Sequence, residues 1–398
     1  MIGNYQLIIK FGGTVVPLSA SILRELTIVQ DLNKLVPEFR LSLDDPSGLM
    51  THISPFDRNM SSVQIECAID YDTTDKNTFD FLVYTREPRS DQSTPTNDYD
   101  VGGLLDVKKL FSPSFSRGFS GSVKTSLETV ATEMDIDSIE IDDSLSYDKN
   151  LLQPAYNNAQ FLTYHKNNLL GSNSEYGYKC FVKNYKNKKI FVFKSLTQMI
   201  NDPVSHKFIL NDTPYVTPHA TLLPIYEYYI YDNYGLYGIF GLRVSDYSYF
   251  DYDTSTYTTD TLTVDDFVSL SDFFLIDKSD SLDNNLGADT GRTNDFHGSF
   301  EGKEKSRYGN QLINLTKLWI TTQGIPNAVP GQTAKIFFPH GAAGGDLYSY
   351  QYSGYWLIER VVHNFRDAFL TKLLLTRHGL DTDKETSLLP ATNKKQKP

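Results

Sequence analysis

The chain is poor in cysteine. Its 398 residues include two, Cys67 and Cys180, which lie far apart and form no CxxC pair. A disulfide framework or a structural zinc site needs more cysteines at closer spacing. We therefore expect two small, buried thiols.

Long apolar runs are also missing. No segment approaches the length of a membrane span, and the first residues, MIGNYQLIIKFGG, lack a basic region followed by an apolar stretch. The sequence therefore predicts a soluble chain with no signal peptide and no membrane anchor, made in the cytoplasm.

Positive charge is in deficit. Lysine and arginine total 37 against 49 acidic residues, which gives a net charge of −12. Proteins that hold duplex DNA take their affinity from clustered basic side chains on phosphates. An acidic wall would instead repel DNA and let it pass without specific binding.

Methionine and tryptophan are scarce, whereas aromatic residues of other types are abundant. The chain has 26 tyrosines and 24 phenylalanines against five methionines and two tryptophans. Tyrosine suits half-buried strand faces and protein interfaces, and it also suits sugar binding. Composition alone does not choose between these uses.

Period-two patterns dominate the first hundred residues and predict an antiparallel barrel or sandwich with one buried face per strand. The alternating sets are Leu7, Ile9 and Phe11; Phe39, Leu41 and Leu43; Val63, Ile65, Cys67 and Ile69; and Phe79, Phe81 and Val83. The segment 87–100 is rich in Pro, Ser, Thr and Asp, which favours a surface loop.

The pattern then changes to α+β. Apolar residues between Val123 and Met134 fall at helical spacing, with Ser120 or Ser122 available as the N-cap. A second helix is predicted after Pro154, ending near Gly171. A hairpin with strands at 178–182 and 190–193 completes this module.

The remainder reads mainly as β. An aromatic run covers 226–240, and three strands are predicted near 335–338, 355–363 and 369–377. At this length, two to four domains are expected. The predicted division is a first β-barrel at 1–110, an α+β module at 111–205, a second β-barrel at 206–244 with 311–379, an irregular insertion at 245–310, and a polar C-terminal arm at 380–398.

Reactive motifs are not found. The eight histidines form no HExxH pair, and both His165 in a predicted helix and His363 in a predicted strand suit packing better than ligation. The serines of Phe119–Ser122 do not form a GxSxG elbow and fit a helix cap better.

Two loops imitate ligand sites. The glycine-rich segment 340–346 lacks the Lys-Ser/Thr ending of a phosphate loop, so a flexible hairpin tip is predicted. The acidic segment 277–283 lacks the central glycine and the closing glutamate of an EF-hand, which favours a solvated loop over an incidental calcium site. We predict no catalytic, cofactor-binding or metal-binding residues and no enzymatic activity.

Four longer segments carry a family resemblance: LLQPAYNNAQFLTYHKNNLL, YGYKCFVKNYKNKKIFVFKSL, TTQGIPNAVPGQTAKIFFP and YSGYWLIERVVHNFRDAFLTKLLLTRHG. Together with FRLSLDDPSG near the N-terminus, they resemble the tail hub proteins of contractile phages. This group is related to late control protein D and to the hub part of VgrG spikes. The resemblance covers most of the chain but not 245–310.

The resemblance implies a structural role and a mainly β fold: two antiparallel, tail-tube-like β-barrels with an inserted α+β domain. Three subunits would present six barrels and so adapt a threefold spike to a sixfold tail tube around the DNA passage. The implied partners are two further copies of the chain, the central spike protein, the tail tube protein or tube initiator, and other baseplate proteins. The implied place is the virion baseplate, assembled in the host cytoplasm.

The resemblance also implies roles for some residues. The turns between Gly324 and Gly331 would shape the second barrel. Trp356, Val361 and Val362 would belong to its core.

Two other functions stay open on the sequence. A carbohydrate- or receptor-binding virion module would need an exposed aromatic platform, for which Tyr228, Tyr229 and Tyr231 are the candidates. A glycan hydrolase would need two carboxylates about 5–10 Å apart in a cleft.

Overall fold

The structure is a computed structural model. It describes residues 5–15, 22–44, 62–69, 72–91, 94–169, 177–210, 222–232, 245–251, 256–262, 291–292, 316–338 and 352–377. Only the backbone is described at 72–75, 88–91, 94–98, 232, 245–251, 256–262 and 291–292.

The first seven strands form one antiparallel sheet in the spatial order β3-β4-β7-β6-β5-β1-β2. The strands are β1 (Tyr5–Phe11), β2 (Thr14–Val15), β3 (Leu23–Asp31), β4 (Glu38–Asp44), β5 (Ser62–Ile69), β6 (Asp72–Asp91) and β7 (Thr94–Leu105). The apolar sets at 7–11, 39–43, 63–69 and 79–83 lie on strands, as predicted. The inner positions, such as Ile9, Phe39, Ile65 and Phe79, are buried.

The prediction of a surface loop at 87–100 is wrong. Strands β6 and β7 run through this segment and pair Glu87 with Asp100 and Pro88 with Tyr99. The pairing of β5 with β6 ends at Leu82, so beyond that point β7 is the neighbour of β6 among the described strands. Strand β4 pairs with the other side of β7 as far as Asp98, opposite Asp44, so backbone hydrogen bonds hold this polar segment in the sheet.

The α+β module follows. Its elements are β8 (Phe115–Phe119), α1 (Val123–Glu133), β9 (Ser138–Ile141), a 3₁₀ turn (Asp143–Leu145), β10 (Leu151–Tyr156), α2 (Asn158–Asn168), β11 (Tyr178–Tyr185), β12 (Lys188–Ser195) and α3 (Leu196–Asn201). Both predicted helices and the hairpin are confirmed. The Ser122 side chain caps α1 by accepting a hydrogen bond from the Thr125 amide, and Asn157 forms a capping box with Gln160 in α2.

Six of the remaining strands close into a barrel in the order β13-β14-β18-β21-β20-β19, with β19 returning to β13. The strands after the module are β13 (Val204–Leu210), β14 (Leu223–Asp232), β15 (Ser245–Asp251), β16 (Thr256–Leu262), β17 (Gly291–Arg292), β18 (Thr316–Gln323), β19 (Thr333–Phe337), β20 (Gly354–Phe365) and β21 (Phe369–Arg377). Strands β15 to β17 form a small separate sheet within 245–310, the region expected to be irregular.

This barrel is mixed rather than wholly antiparallel, because β13 runs parallel to both of its neighbours. Its core contains Trp356 and Val361, as expected, but Val362 is only half-buried. Successive side chains of a strand point to opposite faces, so the two valines cannot share one core. The predicted mainly β fold with an α+β module is confirmed, with one closed six-stranded barrel and additional strands.

The described residues form two hydrophobic cores. One is shared by the first sheet and the α+β module, and it joins residues such as Phe39 and Phe81 to Leu127 and Phe191. The other fills the closed barrel around Trp356. No helix among the described residues is long and apolar enough to cross a bilayer.

Gly103 in β7 provides a test of the first core. A Cβ at this position would lie 2.5 Å from the Leu82 carbonyl oxygen and would also enter the Phe39 ring. We expect Gly103→Ala to lower the free energy of unfolding by about 1–3 kcal/mol, because overpacking forces neighbours apart. Chemical denaturation measures this.

Gly118→Ala is the matched control. The nearest atom to its added Cβ is the Leu151 carbonyl oxygen at 4.0 Å, which is ordinary contact. Equal losses in the two variants would contradict the packing described for β7.

Candidate functional site

A buried amide network joins the three parts of the chain. The Asn77 Nδ2 atom in β6 donates to the carbonyl oxygens of Asn184 in β11 at 3.2 Å and of Pro326 at 3.1 Å. Its Oδ1 atom accepts from the Asn184 side chain at 2.9 Å and from the Asn187 amide at 3.0 Å. Asn77 and Asn184 are buried, so this network fixes the hairpin of the module between the first sheet and the barrel.

The segment Gly324–Gly331 supplies the barrel side of this contact. Asn327 accepts a hydrogen bond from the Lys186 amide at the hairpin tip at 3.0 Å, and the Ile325 amide donates to Thr371 at 2.8 Å. Gly324 lies against the Phe369 ring, where a Cβ would overlap the ring atoms. These turns therefore hold the module as well as shaping the barrel.

A second, charged network lies where β3 meets β20. Arg360 Nε binds Asp31 at 2.6 Å, and Lys317 binds Glu359 at 2.9 Å. Asn33 donates to Glu359 at 3.0 Å and accepts from Lys179 Nζ at 2.7 Å. The network thus connects β3, β18, β20 and β11.

Burial penalises the charged form of Lys179 and lowers its pKa to about 8. The positive charges of Lys166 and Lys317 act in the same direction, whereas Glu359 and Asp31 oppose the shift. Lys179 is therefore charged near neutral pH at a cost in folding free energy.

The first sheet and the barrel form one continuous sheet, because β20 pairs with β3 on one side and β21 on the other. The outer face of its first half holds a groove of about 670 Å³. Four carboxylates, Glu25, Glu38, Glu87 and Asp100, line this groove beside a single arginine, Arg40. This face is therefore acidic and suited to repelling a polyanion.

The three candidate tyrosines of β14 do not form one platform. Tyr229 and Tyr231 lie together, with ring centroids 4.4 Å apart, whereas Tyr228 packs against Phe338 of the barrel core at 5.2 Å. Strand alternation separates them, since residues one apart face opposite ways. All three side chains are exposed, so the structure offers a paired Tyr229–Tyr231 surface with Tyr228 apart from it, and the binding-module alternative stays untested.

His165, His363 and both cysteines are buried in packing positions. Burial lowers the pKa of His165 to about 4 and that of His363 to about 3, and it raises the pKa of Cys180 to about 12. Cys67 is buried as well, as predicted. Among the residues that the structure describes, no three potential metal ligands lie together.

The most buried carboxylates have structural partners. Asp31 and Glu359 belong to the charged network, and Asp142 accepts hydrogen bonds from the Ser195 hydroxyl at 2.7 Å and the Ser144 amide at 3.0 Å. The glycine-rich segment 340–346, the acidic segment 277–283 and the arm 380–398 lie outside the described residues.

Solved structures share this architecture. The tail protein from Neisseria meningitidis MC58 superposes with a TM-score of 0.54 at 10% identity, over 94% of this chain and 96% of that chain. The 43 kDa tail protein of prophage MuSo2 from Shewanella oneidensis superposes with a TM-score of 0.53 at 10% identity, over 94% of this chain and 97% of that chain. The chain has the fold of these tail proteins.

A third structure, a chain of the Francisella PdpA-VgrG complex in its lidded form, gives a TM-score of 0.50 at 9% identity over 94% of this chain and 52% of that one. No family model and no curated protein matches the sequence. The tail-protein fold expected from the resemblance is thereby confirmed.

Asn77 is the residue on which this tail-protein fold relies at its centre. We expect Asn77→Ala to lower the free energy of unfolding by about 2–4 kcal/mol, because the change leaves buried donors and acceptors of Asn184, Asn187 and Pro326 without a hydrogen-bond partner. Denaturant titration of the full chain measures the loss.

Gln64→Ala is the control for this variant. Gln64 hydrogen-bonds to Lys10 and Asp80 near the surface, so water replaces the lost partners and the change should stay within about 0.5 kcal/mol. A loss of that small size in Asn77→Ala would contradict the central role of the amide network.

The lowered pKa of Lys179 predicts how the free energy of unfolding changes with pH. Between the folded pKa of about 8 and the ordinary value of 10.5, the unfolded chain binds a proton that the folded chain has lost. The free energy of unfolding should therefore rise with pH in this window, by at most about 1.4 kcal/mol per pH unit from this group.

The comparison is with Lys179→Met, which keeps the side-chain length and cannot titrate. The difference in unfolding free energy, wild type minus variant, should rise from pH 8 to pH 10.5. A flat or falling difference would show that Lys179 is not held in a desolvated site.

Proposed function

We propose that this chain is a structural hub protein of a phage tail baseplate and acts without enzymatic activity. The observation that carries the proposal is the fold shared along 94% of the chain with two tail proteins. The buried polar groups fit this role, because Asn77, Asp31, Glu359 and Asp142 all hold elements of the chain together.

A trimer follows from the two β units of each chain. The closed barrel and the first sheet lie side by side in one continuous sheet through β20. Three copies would place six such units around an axis, closing a ring by head-to-tail contacts. This ring would adapt a threefold central spike to a sixfold tail tube, with the tube protein or tube initiator and other baseplate proteins as further partners.

The acidic groove supports a role beside passing DNA. The carboxylates of Glu25, Glu38, Glu87 and Asp100 would repel phosphate and keep the DNA moving. The chain would belong to the virion baseplate and be assembled in the host cytoplasm. In this proposal, 1–110 and 206–244 with 311–379 form the two tube-like units, and 111–205 joins them.

The mass of the assembled chain tests the proposal. We expect light scattering to give about three times the 45.2 kDa of one chain, with the trimer fraction growing with concentration. Co-purification with a central spike protein would extend the test. A monomer at every concentration that also fails to retain the spike would contradict the hub.

A further inference from the structure

An uncharged pocket lies on the α+β module, away from the sheet face described above. It has a volume of about 680 Å³ and opens between one face of α2 and the segment that carries Phe111. All nine lining residues are uncharged. This volume is in the range of small-ligand sites, and neutrality is unusual on a chain with 22% charged residues.

Aromatic rings form the apolar part of this pocket. The Phe111 side chain is 54% exposed and that of Tyr164 is 48% exposed. The Tyr164 ring stands edge-on to the buried His165 ring, with the ring centroids 5.1 Å apart. The centroid of the Tyr156 ring lies 6.4 Å from that of the Tyr164 ring. Packing thus presents these rings to solvent as a supported surface, which is what an apolar ligand face needs.

Amide groups form the polar part. Gln160 and Asn167 are seven residues apart on α2, so these two exposed amides lie on the same side of the helix, and the buried Asn168 lines the pocket beside them. Asn168 is 6% exposed, and its Nδ2 atom donates to the Tyr164 carbonyl oxygen at 2.6 Å. Its Oδ1 atom is buried and accepts no hydrogen bond in the described part of the chain.

This atom is closed to solvent, so the hydrogen bonds offered to a ligand come from the exposed amides of Gln160 and Asn167. These amides can exchange hydrogen bonds with ligand hydroxyls directly or through one bridging water. The exposed amides and the exposed rings therefore point to the same ligand chemistry: hydroxyl groups together with an apolar face.

From these observations we propose that the pocket binds a neutral carbohydrate chain. The faces of pyranose rings present C–H groups to Phe111 and Tyr164, while the hydroxyls meet the amides of Gln160 and Asn167. With no charged lining residue, the pocket has nothing to select a nucleic acid, a phosphate or a charged peptide. This site is independent of the hub function.

An array of bacterial surface oligosaccharides and cell-wall fragments, probed with the labelled full chain, tests the proposal. We expect a subset of neutral glycans to be retained. Calorimetric titration of the best of these should show binding about tenfold weaker in Phe111→Ala and in Tyr164→Ala, since each removes one stacking face. Asn167→Leu should also weaken binding, because it removes an exposed amide that lines the pocket.

Leu152→Ala is the control, since Leu152 is an exposed apolar residue of the same module, 64% exposed, and does not line the pocket. It should leave glycan binding unchanged, and all four variants should keep the wild-type melting temperature. The proposal is overturned if no glycan is retained above the Phe111→Ala/Tyr164→Ala double variant. It is also overturned if these variants instead lose binding to a neighbouring tail protein, because the surface would then be a protein interface.

Discussion

The hydrogen bonds of Asn77 are the constraint on which the rest of this structure depends. A single buried amide of the first sheet contacts the hairpin of the module and the turn of the barrel, so it ties all three together. Buried amides that lack a partner are costly, so the arrangement holds together or fails as a unit. The glycine at 324 and the left-handed backbone at Lys186 and Asn187 bring the three backbones close enough for this contact.

Strand β20 makes the second connection between the first sheet and the barrel. It belongs to the closed barrel through β19 and β21, and its C-terminal half also pairs with β3 of the first sheet. The ion pairs beside it, Asp31 with Arg360 and Glu359 with Lys317, are partly buried. Such pairs add little net stability, but a mispaired register would leave a charge unpaired, which is strongly unfavourable. The two β units are therefore held in a fixed relation to each other.

The surfaces of the molecule differ in character. One sheet face is acidic, and the pocket on α2 is uncharged and aromatic. The titratable groups with the largest pKa shifts, His165, His363 and Cys180, lie buried in packing positions. Among the described residues, the acidic groove and the uncharged pocket are therefore the surface features on which the proposals rest.

The sequence by itself determined the local structure. Alternation at 7–11, 39–43 and 63–69, helical spacing from Val123, and the cap at Ser122 each depend on residues near one another in the chain, so short-range patterns reveal them. The segment QGIPNAVPG was correctly predicted to form turns of the barrel, but its contacts with the hairpin of the module could not be predicted from the sequence.

The tertiary structure alone decided the rest. Residues 87–100 became strands because long-range backbone pairing outweighs polar composition, and Val362 left the core because of strand alternation. The closure of the barrel through parallel β13, the sharing of β20, and the contact of Asn77 with Pro326 join residues that lie far apart in sequence. No local pattern encodes such partners, because they are chosen by which backbones the fold brings within hydrogen-bonding distance.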